Sequence, residues 1–464
     1  VAEPITPGSG DIFGELGDSG LIRSAGVVQE EWLRELRGLD GVKRLREMID
    51  NCPITGAILF AIKHLARGVT WDVEPAGQTN EELAQAEFIK ECLFTDQSST
   101  WQDTLSEILT FLPYGWAYHE VVYKRRQGPG DDPTTRSRYT DGRIALRKMP
   151  LRPQESLWRW EFDETGGVQA MTQWADGKIA TIPIQKSLLF RTEVLKGNPE
   201  GRSILRNAYI TYVRRKRIEN QEGIGIERDL AGYPVFTVEK DGPDIWNPND
   251  EAARTWLANI RKLYKSIRRD EQEGMVKPWW LRFELMSGAS RRVFDTTAII
   301  ERMDRRIAMT VLWDFLLIGH GQTGSFSLVS SRASLAAVSL EGFLQTICDT
   351  INRFLIPNLL DLNGMRYEKP PTLKHGAVEA VSLTELGAFL TTLTQSGFKV
   401  ATLPGMLQYL FSAAKIPVAI PDDYEETLSA EQEAETERMI SEQLRAAQPP
   451  EQPEEASPEP PEAE

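Results

Sequence analysis

The chain has 464 residues, 41% hydrophobic and 26% charged, enough for roughly two to four compact units with core-building residues throughout. No apolar run approaches the ~20 residues that span a bilayer, and VAEPITPGSGDIFGELGDSG at the start has neither a basic opening nor an apolar stretch; no export signal is read, and a cytoplasmic setting is expected. The net charge of −15 is unevenly spread: residues 421–464 hold 15 Asp and Glu against 2 Arg, the rest 51 basic against 53 acidic residues, and 201–306 hold 21 Lys and Arg against 16 Asp and Glu. Local sign therefore says more about partners than the total does.

Residues 1–29, rich in Gly, Pro and Ser, read as a flexible arm. A helical region begins at Glu30. In DNCPITGAILFAIKHLARGVTWDVEPAG, residues Ile54, Ile58, Ala61 and Leu65 share a helical face, and Val69, Trp71 and Val73 alternate as in a strand. Two more helices are predicted over 81–112. PYGWAYHEVVYKRR then turns to strand character, 128–142 is a loop or hairpin tip, and IALRKMPL, SLWRWEFD, GVQAMTQW and SLLFRT are short strands. The part from 30 to 198 is thus α+β.

At KGNPEGRSILRNAYITYVRRKRIENQEG the pattern changes to a long helix, predicted over 203–228 and ~39 Å in length. Ile204, Leu205, Ala208, Tyr212 and Val213 form its apolar face, Arg214, Arg215, Lys216 and Arg217 a basic block, and Gly223 and Gly225 a weak point. An α/β insert follows: the strand YPVFTVEK, a helix capped by Asn249 or Asp250, and the strand VKPWWLRFELM. In the next helix, 294–317, Ile299, Met303, Ile307, Val311 and Phe315 repeat every four residues as a packing stripe, and Arg302, Arg305 and Arg306 lie off it. After GHGQTGSFS, Gly319 to Ser327, a third helix is predicted over about 332–363. Residues 380–445 read as helical, and the acidic, proline-rich end, 446–464, as disordered.

The stretch Gly319, His320, Gly321, Gln322, Thr323, Gly324, Ser325, Phe326, Ser327 resembles a phosphate-binding loop only superficially. No Lys follows Gly324, the stretch follows a helix where a phosphate loop follows a strand, and no Walker-B strand comes after. A linker between helices, or a loop that moves in a channel, fits better. Cys52, Cys92 and Cys348 form no C-x-x-C pair, and His64, His119, His320 and His375 lack metal-binding spacing, so no metal and no cofactor are expected. Asp103, Glu107 and Glu120 are carboxylates near a helix and a strand; a two-metal nuclease centre needs several such groups converging, and surface carboxylates are the favoured reading. The basic block is either a solvated helix face paired with Glu219 and Glu222 or a contact for nucleic-acid backbone. Trp246, Trp256, Trp279 and Trp280 divide between insert core and interface.

The order of these pieces resembles the portal proteins of tailed double-stranded DNA bacteriophages, nearest to those of Mu-like phages. The similar segments are DNCPITGAILFAIKHLARGVTWDVEP, PYGWAYHEVVYK, NPEGRSILRNAY, IERMDRRIAMTVLWDFLLIG and LEGFLQTICDTINRFLIPNLLDLNG. The resemblance implies a mixed α+β, helix-rich subunit without an active site: wing 30–198, first stem helix 199–231, clip 232–290, second stem helix 291–318, tunnel loop 319–331, a helix returning to the wing 332–379, and crown 380–445. It also implies a ring of twelve subunits at one capsid vertex of the virion, assembled in the bacterial host cytoplasm. Double-stranded DNA would pass through the ring without sequence preference. The terminase large subunit and the head–tail adaptor would dock on it, with major capsid and scaffolding proteins around it and no membrane. Under that resemblance Gly319 to Ser327 line the channel, the basic residues of the two stem helices are candidate DNA contacts, and the four tryptophans mark a clip interface. Another head–tail connector ring component, or a packaging enzyme such as a degenerate NTPase or nuclease, stays open beside it.

Overall fold

The computed structural model describes residues 17–231, 233–266, 277–286, 295–313 and 326–378, with only the backbone for 227–231, 233–234, 263–266, 285–286 and 326–333. The chain divides into units 1–378 and 379–464. The expected crown and acidic tail, 380–464, lie outside the described residues.

In chain order the elements are β1 (Arg23–Ser24), β2 (Val27–Val28), α1 (Gly38–Asn51), α2 (Pro53–Gly68), β3 (Trp71–Glu74), α3 (Asn80–Lys90), α4 (Trp101–Ile108), α5 (Phe111–Tyr114), β4 (Trp116–Glu120), β5 (Val122–Arg125), β6 (Ile144–Lys148), β7 (Leu151–Arg152), β8 (Leu157–Phe162), β9 (Val168–Ala175), β10 (Lys178–Pro183), β11 (Ser187–Arg191), α6 (Tyr209–Ala231), β12 (Tyr233–Val238), α7 (Glu251–Ser266), β13 (Leu281–Met286), α8 (Thr296–Thr310), α9 (Phe326–Thr350), α10 (Ile356–Leu362) and β14 (Thr372–His375). This is a mixed α and β fold, rich in helix.

Local chemistry starts several helices. Pro53 occupies the first turn of α2, where its missing N–H costs nothing. Thr79 and Glu82 close a reciprocal capping box on α3, and the Thr100 hydroxyl accepts from Asp103 N–H at the start of α4. The buried stripe of α2 is Thr55, Ile58, Ile62 and Ala66, whereas Leu65, expected inside, is 44% exposed. The register is one step from the one read in the sequence, because Thr55 and Ala66 are small enough to pack closely.

Among the described residues all the sheets are small and antiparallel: β10-β9-β8, β11-β4-β7, β14-β3, β12-β13, β5-β6 and β1-β2. Strand β4 is buried along its length, since Trp116 and Tyr118 enter one core and Ala117 another. That explains why WAYHE does not alternate polar and apolar. The larger core joins α2, α3, α4, β4, β6 and β11 to the far end of α9 and to α10. There β14 pairs with β3, His375 opposite Trp71, and Asn352 bonds both the N–H and the C=O of Leu373. The flexible arm expected over 1–29 does not extend to 21–28: Leu21 and Val28 are buried beside Trp160, whose N–H donates to Gly26 C=O at 2.8 Å.

The junction between the α+β part and α6 is a crossing of two turns. Gly115 ends α5 at φ +93°, and Gly201 sits at φ +56°. A Cβ on Gly115 would lie 2.6 Å from Glu200 O, and one on Gly201 would collide with Gly115 O. Around this contact Ser203 Oγ donates to Pro113 O at 2.5 Å, and Ile204 N–H donates to Leu112 O at 3.1 Å. PYG and NPEGRS, far apart in sequence, are therefore one joint. It carries the chain through turns at 204–208 into α6, which begins at Tyr209 and not at Ser203. Gly223 and Gly225 sit within α6 without interrupting it.

Glu200 also faces the joint. Trp160 Nε1 donates to its carboxyl at 3.2 Å, and burial of that carboxyl raises its pKa to about 7, although the residue as a whole is only half-buried. Below pH ~4.5 both folded and unfolded forms are protonated; as pH rises toward 7 the unfolded form ionises first, so folding loses stability across that window. Glu200→Gln is expected to match the wild type near pH 4 and to exceed it by about 1–2 kcal/mol at pH 8, as read from denaturant midpoints. A second expectation concerns the glycines. Gly115→Ala and Gly201→Ala should each cost more than about 2 kcal/mol, because strained φ and collision add. Gly177→Ala, at φ +72° in open space, should cost about 1 kcal/mol. Equal losses at all three would sink the joint as a tight backbone contact.

Candidate functional site

Helices α6 and α8 pack against each other. At 3.6 residues per turn, four consecutive cations on α6 cannot share one direction. Arg215 turns inward: it is buried, held by Asp304 of α8 and by Glu219 at 2.9 Å. Burial is the largest influence and works against its charge, but the hydrogen bond it donates to Asp304 and the negative charges of Asp304 and Glu219 together outweigh burial and raise the guanidinium pKa. Burial also lifts the Asp304 carboxyl above its ordinary value, against the pull of Arg215. Lys216 reaches Glu47 of α1. Arg214 and Arg217 are exposed and make no ion pair with the described residues, and the same holds for Arg302, Arg305 and Arg306 on α8. Two of the seven expected DNA contacts are thus engaged inside the subunit, and five are presented to solvent. The buried side of the pair is made by Leu205, Ala208, Tyr209, Tyr212 and Ile307 against Leu45, Met48 and Cys52 of α1 and the turn after it.

Between these helices sits the α/β insert, a two-stranded ribbon of β12 and β13 with α7 across it. Its core is Ile245, Trp280 and Leu281, with Phe236, Val238, Leu257 and Ile260 around them. Trp280 is 7% exposed, and Trp256 packs edge-on against it at 5.1 Å. Trp246 and Trp279 are 71% and 74% exposed. Trp280 and the partly exposed Trp256 pack together, and Trp246 and Trp279 are on the surface.

The carboxylates noted in the sequence are each committed locally. Asp103 accepts from Thr100 Oγ1 at 2.6 Å, Glu107 accepts from Leu151 N–H at 3.1 Å, and Glu120 pairs with Arg152 and Lys186. His119 is buried, its Nδ1 2.8 Å from Met149 O, and burial pushes its pKa down to about 4, so the ring is neutral. The three cysteines are free and buried; burial pushes the Cys92 and Cys348 thiols up to about 12. Among the described residues no three His, Cys, Asp or Glu side chains gather as metal ligands would.

The sequence matches the family of the portal protein of Mu bacteriophage over residues 43–403. That span holds both long helices, the insert between them and the larger core. The chain belongs to this family. Solved structures similar in fold include the neck of an empty gene transfer agent particle computed with C6 symmetry, at 12% identity and TM-score 0.51, covering 81% of this chain and 94% of that one. The neck of a native particle computed with C12 symmetry matches at 12% identity and TM-score 0.46, covering 88% and 96%. An HK97-family phage portal protein from Corynebacterium diphtheriae matches at 12% identity and TM-score 0.40, covering 71% and 94%.

In this portal-family chain the glycine stretch is only partly placed. Gly319, His320, Gly321, Gln322, Thr323, Gly324 and Ser325 lie outside the described residues, while Phe326 and Ser327 already belong to α9. The helix starts before the expected 332, since serine, frequent in SFSLVSSRAS, is only mildly unfavourable within a helix. Sequence reasoning also missed Arg126, 0% exposed. It is held by Asp96 at 3.0 Å and Glu91 at 2.7 Å and lies over the Phe88 and Tyr139 rings. YKRR offers no signal for it, since a buried arginine is visible only with its distant acids.

Breaking one side of the inter-helix pair leaves a buried charge unmatched. Arg215→Met is therefore expected to lower stability by about 2–3 kcal/mol, and the double change Arg215→Met with Asp304→Leu to recover most of that. Arg302→Gln, Arg305→Gln and Arg306→Gln together should stay within about 0.5 kcal/mol per site. Denaturant unfolding compares them.

Proposed function

We propose that the chain is the subunit of a portal ring, set at one vertex of a phage-type capsid, through which double-stranded DNA is packaged and ejected. The family match across residues 43–403 carries this reading. The similar neck structure computed with C6 symmetry supports a closed ring, and twelve subunits is the expected number. The helices α6 and α8 are the stem, the insert is the clip, the part before α6 with the far end of α9, α10 and β14 is the wing, and residues 380–445 are the crown.

The chemistry fits a duplex that has to slide. Arg214, Arg217, Arg302, Arg305 and Arg306 supply positive charge that rotational symmetry repeats around the ring, attracting phosphates without reading bases. Gly319 to Ser327 are the candidate stretch for contact with DNA in the channel. The exposed Trp246 and Trp279 suit the clip to partner binding, with the terminase large subunit and later the head–tail adaptor as occupants. Major capsid and scaffolding proteins surround the wing. The protein supplies the conduit, and a separate ATPase supplies the work.

Native mass spectrometry with negative-stain imaging tests the core of the proposal. A closed ring of about twelve copies, with a hole about as wide as a duplex and no ATP or DNA hydrolysis, is the expected result. A monomer that hydrolyses ATP or DNA would favour the packaging-enzyme reading instead. For the clip, Trp246→Ser with Trp279→Ser should leave the ring intact and weaken capture of the terminase large subunit by roughly tenfold or more.

A further inference from the structure

A basic cavity lies away from the stem. Its walls are the turn at 95–98 after α3, the loop 129–138 between β5 and β6, and Arg147 of β6; its volume is about 740 Å³. Three arginines line it, Arg136, Arg138 and Arg147, the first two of them exposed. None has a carboxylate within salt-bridge distance among the described residues. The carboxylate in the floor, Asp96, is already saturated. It accepts from Lys124 Nζ at 2.9 Å, Arg126 Nε at 3.0 Å, Ser137 Oγ at 2.7 Å and Arg138 N–H at 3.3 Å. Asp132, on the same loop, feels the charge of Arg147, but its carboxylate is turned onto the Thr134 N–H and hydroxyl, 2.8 and 2.7 Å away.

We propose that this cavity is a second DNA-backbone site, in which Arg136, Arg138 and Arg147 hold phosphate groups of double-stranded DNA. The identity of the polyanion rests on the portal reading above; the anion site itself rests on the geometry. Planar guanidinium forks match phosphate oxygens in pairs. The lining includes no aromatic ring, so it offers no platform for an unstacked base, and a duplex backbone is the form of nucleic acid it suits. The loop is preorganised. Ser137 N–H donates to Gly128 O at 2.9 Å and Arg125 N–H to Thr134 O at 3.0 Å, while Lys124 Nζ grips Arg136 O at 2.9 Å. Pro129 and Pro133 stiffen the rim. The rim arginines therefore meet a ligand with little backbone entropy left to lose.

The test uses the full chain in its native assembly, with a labelled mixed-sequence duplex of roughly 30 bp and anisotropy read from about 50 to 300 mM KCl. The variant R136Q/R138Q/R147Q is expected to bind about tenfold or more weakly, with the slope of log K against log salt reduced by about 2–3. R136K/R138K/R147K, which keeps charge without the fork, should restore most of the slope. Unfolding midpoints confirm that each variant is folded. Unchanged affinity and slope in the glutamine variant would overturn the proposal, as would a wild type that binds no duplex at low salt. An acidic peptide that displaces the duplex at lower charge concentration would overturn the nucleic-acid assignment. Native mass of the same samples separates the two readings. A ring whose glutamine variant binds normally loses this site and keeps the portal, whereas a wild type that forms no ring but shows the expected loss in the variant keeps the site and loses the portal.

Discussion

Much of the molecule depends on one close approach of backbone to backbone, where Gly115 meets Gly201. Both residues are in the left-handed region, and neither has room for a side chain. The contact ties the end of α5 to the turn before α6, so it sets how the long helix leaves the α+β part. Its surroundings are consistent with a fixed joint: Ser203 and Ile204 bond the α5 backbone, and Trp160 closes the far side through Glu200. A joint made of main chain fixes the direction in which α6 leaves. Backbone positions depend less on rotamer changes than side-chain contacts do.

The cations of the helix pair show how one charged run serves two purposes. Arg215 lies where α6 touches α8, and Asp304 is opposite it. A charge there needs its partner, because the interior offers no water to replace it. One residue either side, Arg214 and Lys216 face out, and Lys216 is taken by Glu47. The reading of the block as a salt-bridged helix face therefore holds for Arg215 and Lys216. The structure assigns the paired part; the free part carries the functional proposal.

A similar division governs the buried network at Asp96. Lys124 and Arg126 would be costly so far from water were they not enclosed by acids, carbonyls and aromatic faces. Two consequences follow. The loop 128–142 is held as part of the folded domain, and Asp96 is left with nothing to offer an incoming cation, so the arginines at the rim keep their positive character.

Helix and strand content, the α/β insert and the split of charge along the chain were readable in the sequence, because they depend on local periodicity, punctuation and composition; the portal family was readable only through the resemblance of its segments, such as NPEGRSILRNAY, to that family. That GHGQTGSFS lacks the lysine of a phosphate loop is likewise a fact of sequence. Other features needed the tertiary structure. That β14 pairs with β3, that Arg215 is buried and Arg214 is not, that Leu21 and Val28 join a core, and that PYG and NPEG form one joint all depend on residues distant in the chain arriving at the same place. Nothing in a short window distinguishes a glycine that is merely tolerated, such as Gly223 within α6, from one whose missing Cβ lets two turns touch. That difference lies in the neighbour, and only the folded chain supplies it.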